Sequence, residues 1–534
     1  MNLAHLPYTV FFEIVSHLSA LETLTARRIS RDVYSALTRP DLSISLILLH
    51  FPRSREGRTL RGYLQSGNDE ALERGDWAAV FATLVRRYHH LGNATPWRVK
   101  KVRVAKGSHR LRGVTPWNRF LRLDDKTAAF DYWDPVWTFE AGEGVLVYPA
   151  MVEERIVYKA RDLTSDTELV VPFDTTTKII RRVRLSHGIL IFEWCEQAGY
   201  HDLNETEAAH RHFATAFDIY SSQSHIHRRT LRISFRSEWK IHYLGLPLTH
   251  QDRFFSTHNA THYVVYIWQP TRSPWGEDAP LERLIIWEIG QPNPYKPSLD
   301  PGGKHAPMAS SGPRIIRRMI NNELSTWGVR QSDTPSVRSL ALDDTTFDEA
   351  TNSTTGHVFF IEEQHRWCAG PHSTPTPPRQ HHILSTGIPL IGDGPRWVDE
   401  CGGPNGSPEY GMSFCSRGRK DTWPGRAPCW RHDDFPYLTV SEVYDAEAGV
   451  RITARHCFMM ETLSVHVRPQ LCVTRDTERE DGSGSGKKLQ GPDGEEVQFE
   501  DGLWAELLGK GCIVGDERWV VGEDEGGDVT ILMF

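Results

Sequence analysis

The N-terminal stretch Leu6–Leu37 reads LPYTVFFEIVSHLSALETLTARRISRDVYSAL. Its first third repeats apolar residues at helical spacing, and two more aromatic residues, Tyr8 and Phe12, widen the resulting face. The residues of that face are Leu6, Val10, Phe11, Ile14, Val15 and Leu18. Because successive helical residues are turned by about 100°, an apolar arc this wide exceeds what a single core covers. We therefore predict that the excess face binds a partner.

Two further helices are predicted in the same stretch. Ser19-Ala20-Leu21-Glu22 fits a capping box, in which the serine hydroxyl and the glutamate each accept a hydrogen bond from the other's backbone amide. This helix carries Leu21 and Leu24, and a third helix begins at Ser30. The stretch is thus predicted to form three short amphipathic helices.

The order of these residues resembles the F-box family. The family pattern is a Leu-Pro start, an aliphatic helix, an acidic-leucine turn and a Val-Ser-Arg third helix, and here it is matched by Leu6-Pro7, Val10, Glu13-Ile14, Ser16-His17-Leu18, Glu22, Leu24 and Ile29-Ser30-Arg31. The match covers the first tenth of the chain. Three helices that simply cap a larger domain are the alternative interpretation.

The resemblance implies a partner and a binding surface. An F-box binds the adaptor subunit of the SCF complex and, through it, cullin. The rest of the chain, which is predicted to contain a β-domain, would then bind a protein substrate that the sequence leaves unidentified. The adaptor-binding residues implied by the resemblance are Leu6, Pro7, Val10, Ile14, Leu18, Leu24 and Ile29.

Composition excludes several other classes of partner. The 534 residues carry a net charge of -8, which argues against general nucleic-acid binding. The basic run Arg98–Arg103 alternates with valines, which favours a solvated strand face. The longest apolar run, Ile44–Leu49, is too short for a membrane span, and no signal segment is evident. The eight cysteines form no CxxC pair, so we expect reduced thiols and a cytoplasmic or nuclear location.

After the F-box-like stretch, Asp76–Gly92 is predicted to be a linker helix that Asp76 caps. From about Phe130 the chain changes to short β-rich runs separated by turn residues. Pairs of runs recur, as in Gly144–Tyr148 with Arg155–Tyr158, and the last is Val529–Leu532. Each repeat can bury its apolar faces only against neighbouring repeats, and this pattern predicts a β-propeller. The array is loosely similar to WD40 or kelch propellers. A pair of β-sandwiches is the alternative.

The predicted fold class is therefore an α+β multidomain protein with a three-helix F-box, a linker helix and a mainly-β domain, most simply a β-propeller. The predicted domains are an F-box-like helical domain at residues 1–50, a helical linker at 51–125 and a propeller-like domain at 126–534. Pro, Ser, Gly and acidic content predicts disordered insertions near 291–312 and 475–502. The apolar tail Val529–Phe534 is predicted to pack beside the earliest β-segment, Phe130–Tyr148, and so close the propeller.

Catalytic and metal motifs are weak. The spacing of His365, Cys368, His372, His381 and His382 matches no zinc finger. Arg431–Asp434, with Ser441-Glu442 nearby, contains a possible acid–base pair, but no nucleophile motif or phosphate-binding glycine loop accompanies it. We predict no catalytic residues, no cofactor and no metal, and hence a non-enzymatic receptor subunit of a ubiquitin ligase. A propeller scaffold outside ubiquitination and a hydrolase-type propeller are the alternatives.

Overall fold

The computed structural model of the protein describes residues 6–105, 136–202, 205, 208–223, 229–241, 253–269, 279–304, 312–332, 336–343, 347–348, 353–354, 356–367, 379–393, 396–401, 437–457, 470–475, 497–509 and 512–534. Over these residues the protein is mainly β and propeller-like, with a group of helices at the N-terminus. The chain divides into two compact units. We call Met1–Arg103 with Thr439–Phe534 the terminal unit and Val104–Leu438 the central unit.

Seven helices precede the first strand. They are α1 (Tyr8–Ser16), α2 (Ala20–Ala26), α3 (Arg31–Leu37), α4 (Pro40–His50), α5 (Arg55–Ser66), α6 (Asp69–Arg74) and α7 (Trp77–Gly92). The three predicted helices are present as α1, α2 and α3. The apolar run Ile44–Leu49 lies in α4, a helix that was not predicted from the sequence. Asp76 caps α7 as predicted, because its Oδ1 accepts from the Ala79 amide at 3.0 Å.

The described residues form six four-stranded antiparallel sheets, each ordered like a propeller blade. Strand β1 (Arg98–Val102) follows α7. The first sheet comprises β2 (Thr138–Glu140), β3 (Val145–Val152), β4 (Arg155–Asp162) and β5 (Glu168–Val170). The second comprises β6 (Lys178–Ser186), β7 (Ile189–Glu196), β10 (His212–Gln223) and β11 (Arg229–Lys240), with a small hairpin of β8 (His201–Asp202) and β9 (Ala208–Ala209).

The third sheet comprises β12 (Arg253–His258), β13 (His262–Gln269), β14 (Leu281–Glu288) and β15 (Arg314–Ile320), and α8 (Asn321–Thr326) follows it. The fourth comprises β16 (Val337–Asp343), β19 (His357–Trp367), β20 (Arg379–Pro389) and β21 (Trp397–Cys401), with a hairpin of β17 (Phe347–Asp348) and β18 (Ser353–Thr354).

The fifth sheet comprises β22 (Tyr437–Asp445), β23 (Val450–Cys457), β24 (Gln470–Arg475) and β25 (Val497–Gln498), and α9 (Gly502–Leu507) follows it. The sixth comprises β26 (Ile513–Gly515), β27 (Trp519–Glu523) and β28 (Val529–Met533), with β1 as its fourth strand. The predicted repeat of strand pairs is therefore confirmed.

In the central unit, neighbouring sheets are joined in pairs by apolar clusters. Phe192 and Phe217 of the second sheet pack with Val147 and Tyr158 of the first. A second cluster joins the second and third sheets, and a third joins the third and fourth. Such sharing of faces between successive sheets is how propeller blades bury their surfaces.

Buried polar contacts accompany the apolar ones in the central unit. Arg182 of β6 donates to the Ser256 hydroxyl on β12 at 2.9 Å, and Ser256 in turn donates to Glu193 on β7. The Tyr263 hydroxyl on β13 also donates to Glu193, at 2.9 Å. These bonds connect the second and third sheets, and they satisfy polar groups that burial would otherwise leave without partners.

The terminal unit has one apolar core that helices and sheets share. Phe11, Phe81 and Leu84 of the helices belong to the same cluster as Ile452 of the fifth sheet and Leu532 of the sixth. The linker helix α7 lies in this core, since its Phe81 and Leu84 are fully buried. The N-terminal helices are therefore packed against the fifth and sixth sheets over a common core.

The C-terminal strand has a hydrogen-bonded neighbour that was not predicted. β28 is hydrogen-bonded to β27 on one edge and to β1 on the other, with Val529 opposite Val102 and Met533 opposite Arg98. Because a strand has two edges, Phe130–Tyr148 is not a hydrogen-bonded neighbour of β28, and its predicted packing beside the tail stays a prediction. The basic run Arg98–Arg103 does form the predicted strand, but its role is to complete the sixth sheet. The first part of the other segment, residues 130–135, lies outside the described residues.

The predicted insertions and domain limits are described only in part. The sequence predicts disorder near 291–312, but residues 291–304 form a hydrogen-bonded loop in which the Ser298 amide donates to Glu238 Oε1 at 3.0 Å. Most of the predicted insertion at 475–502 and the boundary near residue 125 lie outside the described residues. The proposed domain limits stay a prediction.

Candidate functional site

The surface of α1–α3 is the candidate site, and its helices begin where the sequence signals place them. α1 starts after Pro7, whose carbonyl accepts from the Phe11 amide at 2.9 Å. The capping box of α2 is present, with Glu22 N to Ser19 Oγ at 3.2 Å and Ser19 N to Glu22 Oε2 at 2.8 Å. The hydrogen bonds that the Ser19 amide and hydroxyl donate to the Glu22 carboxylate, each at 2.8 Å, hold the pKa of Glu22 below its usual value. Local capping thus defines the short helices.

One side of α1 and α3 faces the core. Phe11 and Val15 are the buried residues of α1, and Val33 and Leu37 are those of α3. All four belong to the core that the helices share with the fifth and sixth sheets. The buried half of the wide apolar arc is therefore accounted for within the protein.

The other side carries apolar residues that stay exposed. Val10 and Ile14, one helical turn apart on α1, are 46% and 40% exposed. Ile29, in the turn between α2 and α3, is 72% exposed. Pro7 is also exposed, whereas Leu6, Leu18 and Leu24 are half-buried. None of the seven residues predicted to bind the adaptor is buried.

Two exposed residues on this surface were absent from the predicted set. Leu21 of α2 is 44% exposed and Tyr34 of α3 is 55% exposed. Leu21 lies on the second predicted helix, and Tyr34 lies on the third, which was predicted to begin at Ser30. Single exposed apolar residues are ordinary on proteins, so the informative feature is their concentration on three short helices.

Arg27 fixes the α2–α3 turn to its neighbours. Its Nη1 donates to the Ala78 carbonyl of α7 at 3.0 Å, and its Nη2 donates to the Leu37 carbonyl of α3 at 3.3 Å. Its guanidinium carbon lies 5.4 Å from the centre of the Phe81 ring. Burial lowers the pKa of this guanidinium. Arg27 thus ties the α2–α3 turn to α7.

A buried charge cluster connects the helices with the sixth sheet. Arg87 of α7 donates to both oxygens of Glu56, at 2.7 and 2.9 Å, and lies 3.4 Å from Glu517 Oε1. Glu517 also accepts from the Tyr88 hydroxyl and, at 2.9 Å, from the Arg55 amide. Burial raises the pKa of the Glu517 carboxyl, although the charge of Arg87 opposes that rise. This cluster joins α5 and α7 to the segment between β26 and β27 of the sixth sheet.

The other predicted sites remain without structural support. The side chains of His365, Cys368, His372, His381 and His382, like residues 431–434, lie outside the described part of the chain. Within that part, no group of three or more His, Cys, Asp or Glu residues is placed to hold a metal ion. Ser441 accepts from the Ile513 amide at 3.0 Å and Glu442 pairs with Arg451 at 3.3 Å, so both have structural partners. Among the described helices, none is long and apolar enough to cross a membrane.

Comparison with known proteins adds no family. No protein-family model matches the chain, and no curated protein matches it. The candidate site therefore depends on its geometry and on the residues of α1–α3.

Proposed function

We propose that the protein is the substrate-recognition subunit of an SCF-type cullin ubiquitin ligase. In this proposal α1–α3 bind the adaptor subunit, the adaptor connects the protein to cullin, and the β-sheets bind a protein target. The protein performs no chemistry itself. It holds a target near the ubiquitin carrier, and proximity raises the effective concentration of the reacting groups.

The exposure pattern of α1–α3 is the observation that supports the proposal. Val10, Ile14 and Ile29 remain accessible although the same helices bury Phe11 and Val15 in the core. Apolar residues at the centre of an interface are the ones whose loss costs the most binding energy. The hydrogen bonds of Arg27 to α7 and α3 support a receptor role, because a receptor must hold its adaptor-binding helices on the rest of the protein.

The direct test is binding of the full-length protein to the purified adaptor subunit. We expect Val10→Asp with Ile14→Asp to weaken binding at least about thirtyfold, since losing residues at the centre of an interface commonly costs about 2 kcal/mol or more in total. The pair is preferable to Leu6→Ala with Pro7→Ala, because Leu6 also packs against the core. Loss of binding in the Leu6/Pro7 variant could result either from a lost adaptor contact or from lower stability of the helices.

A matched control uses two leucines outside the predicted set. Leu49 of α4 and Leu64 of α5 are 48% and 45% exposed, so Leu49→Asp with Leu64→Asp introduces the same charges at similar exposure. This control should bind the adaptor like the unaltered protein. The proposal is wrong if the unaltered protein does not bind the adaptor, or if both variants lose binding equally.

Ubiquitin transfer separates a ligase receptor from a scaffold. When adaptor, cullin and a charged ubiquitin carrier are combined with the protein, a receptor supports transfer of ubiquitin to itself or to a bound target. A scaffold outside ubiquitination binds the adaptor without such transfer. Val10→Asp with Ile14→Asp should abolish the transfer, and the Leu49/Leu64 control should preserve it.

A further inference from the structure

A shallow cavity lies at the turn between α2 and α3. Its volume is about 560 Å³, and it is lined by Arg27, Arg28, Ser30, Arg31, Tyr34 and Ser35. The lining has three guanidinium groups and three hydroxyl groups but no carboxylate. In a chain with a net charge of -8, this concentration of positive charge is a local exception.

Arg27 forms the fixed part of the cavity. Its two hydrogen bonds to the Ala78 and Leu37 carbonyls and its position over Phe81 hold the guanidinium in place without neutralising its charge. Asp76 and Arg86 of α7 act on the charge of Arg27 in opposite directions. Arg27 thus contributes a positioned cation to the lining of the cavity.

Arg28 and Arg31 form the accessible part. Both are exposed, and within the described residues neither has a salt bridge to a carboxylate. Two backbone bonds fix the intervening turn, from the Arg28 amide to the Thr25 carbonyl at 3.0 Å and from the Ile29 amide to the Ala26 carbonyl at 3.1 Å. The Arg28 and Arg31 side chains therefore extend from a turn of fixed backbone geometry, one before and one after Ile29.

The hydroxyl groups add donors beside these cations. The Ser30 hydroxyl accepts from the Val33 amide at 3.2 Å, which leaves its own hydrogen available to donate. Tyr34 and Ser35 are exposed and carry further hydroxyl donors. A tetrahedral dianion with three terminal oxygens can use both guanidinium forks and these hydroxyls, whereas a carboxylate has only two oxygens to offer.

We propose that this cavity binds a phosphate monoester, held by Arg28 and Arg31 above the fixed charge of Arg27. The chemistry is shared by a phosphorylated side chain of a peptide and by a small phosphorylated molecule. The proposal goes beyond adaptor docking and does not depend on it, because the binding assay contains no adaptor.

The test is titration calorimetry of the full-length protein at constant ionic strength, so that added charge does not change electrostatic screening. The probes are the peptide Gly-Gly-phosphoserine-Gly-Gly, its unphosphorylated form, its glutamate form and inorganic phosphate. We expect the phosphopeptide to bind, inorganic phosphate to compete with it, and the unphosphorylated and glutamate peptides to bind at least about tenfold more weakly. If inorganic phosphate binds but the phosphopeptide does not, the ligand of the cavity is a small phosphorylated molecule rather than a phosphorylated peptide.

Matched double variants locate the site. Arg28→Ala with Arg31→Ala should weaken phosphopeptide binding at least about tenfold, because two charge-assisted contacts are removed. Arg98→Ala with Arg103→Ala removes the same charge from exposed positions elsewhere in the terminal unit and should leave binding unchanged. Equal losses in both variants would show only a general charge effect and would overturn the proposal.

Two other results would also overturn it. One is the absence of phosphopeptide and phosphate binding in the unaltered protein while its thermal unfolding is normal. The other is tighter binding of a single-stranded oligonucleotide than of the phosphopeptide, with the same dependence on Arg28 and Arg31, because phosphodiesters would then be the preferred ligand.

Discussion

The terminal and central units bury their apolar residues differently. The central unit places its large aromatic side chains between neighbouring sheets, where Phe192, Phe213 and Tyr263 are fully buried. The terminal unit also has a well-packed core, but its first three helices leave Val10, Ile14, Leu21, Ile29 and Tyr34 exposed. The central unit also leaves apolar residues exposed, such as Met151 and Val170, whereas those of α1–α3 follow one another closely along one short stretch of chain. This contrast is why the helices are the best candidate for protein binding.

The units also differ in how their elements are joined by buried polar groups. In the central unit, the Arg182–Ser256–Glu193 contacts lie between two sheets. In the terminal unit, Arg87 joins helices to a sheet through Glu56 and Glu517. The predictions below test this contrast, beginning with the largest expected effect.

Deletion of Val529–Phe534 should have the largest effect. β28 is an inner strand of the sixth sheet, bonded to both β1 and β27, and Val529, Ile531 and Leu532 are fully buried. Without it, β1 has no partner and the core of the terminal unit is opened to water. We expect an insoluble or cooperatively unfolded protein, measured by thermal unfolding and gel filtration.

The control is deletion of residues 481–486, a Ser-Gly-rich run. It should be nearly neutral, because the length of such a run should carry only a small entropic cost. An unchanged melting temperature after tail deletion would contradict the role of β28.

Loss of Arg87 should have the next largest effect. Arg87 is 6% exposed and Glu517 is 1% exposed, so Arg87→Met leaves the buried Glu517 carboxylate without the cation hydrogen-bonded to it. Removing one partner of a buried ion pair typically costs about 3–5 kcal/mol of unfolding free energy. The measurement is urea unfolding, with Glu517→Gln and the double variant completing a mutant cycle. The double variant should be more stable than the sum of the single losses predicts. Strict additivity would mean that the two side chains do not interact.

In the central unit, His258 should make stability depend on pH. The side chain is buried, its Nε2 lies 2.9 Å from the Ile189 carbonyl, and burial lowers its pKa from 6.5 to about 4. The unfolded chain takes up a proton as pH falls below 6.5 and the folded chain does not, so the stabilisation present above pH 6.5 is lost between there and about pH 4. The expected loss is about 3 kcal/mol. As pH is lowered across this range, the urea midpoint should fall less steeply in His258→Gln than in the unaltered protein. Parallel curves for the two proteins would contradict the role given to His258.

The smallest effect on stability is expected at the exposed face of α1. Val10→Ser with Ile14→Ser should change unfolding free energy by less than about 0.5 kcal/mol per site, as surface substitutions usually do. Phe11→Ala, on the same helix but 5% exposed, should cost about 3–5 kcal/mol. Thermal unfolding of the three proteins measures the contrast. A large loss in the serine variant would mean that Val10 and Ile14 serve the core rather than a partner.

Much of the local structure could be predicted from the sequence because its signals act over a few residues. The Ser19–Glu22 capping box, the Asp76 cap of α7 and the β-rich runs all depend on neighbours close in the chain. The wide apolar arc of α1 is also a local property, so an excess of apolar surface could be predicted. Short-range hydrogen bonds and helical periodicity contain enough information for these conclusions.

Only the tertiary structure decided which side of that arc is buried and which strands are neighbours. Phe11 and Val15 face the core because the fifth and sixth sheets, more than 400 residues further along the chain, complete it. β28 pairs with Arg98–Val102 rather than with Phe130–Tyr148, because either segment could offer a strand edge and no local signal distinguishes them. The cavity of Arg27, Arg28 and Arg31 likewise depends on the placement of Arg27 against α7. Such long-range choices depend on how all the faces pack together, and periodicity in one segment cannot specify them.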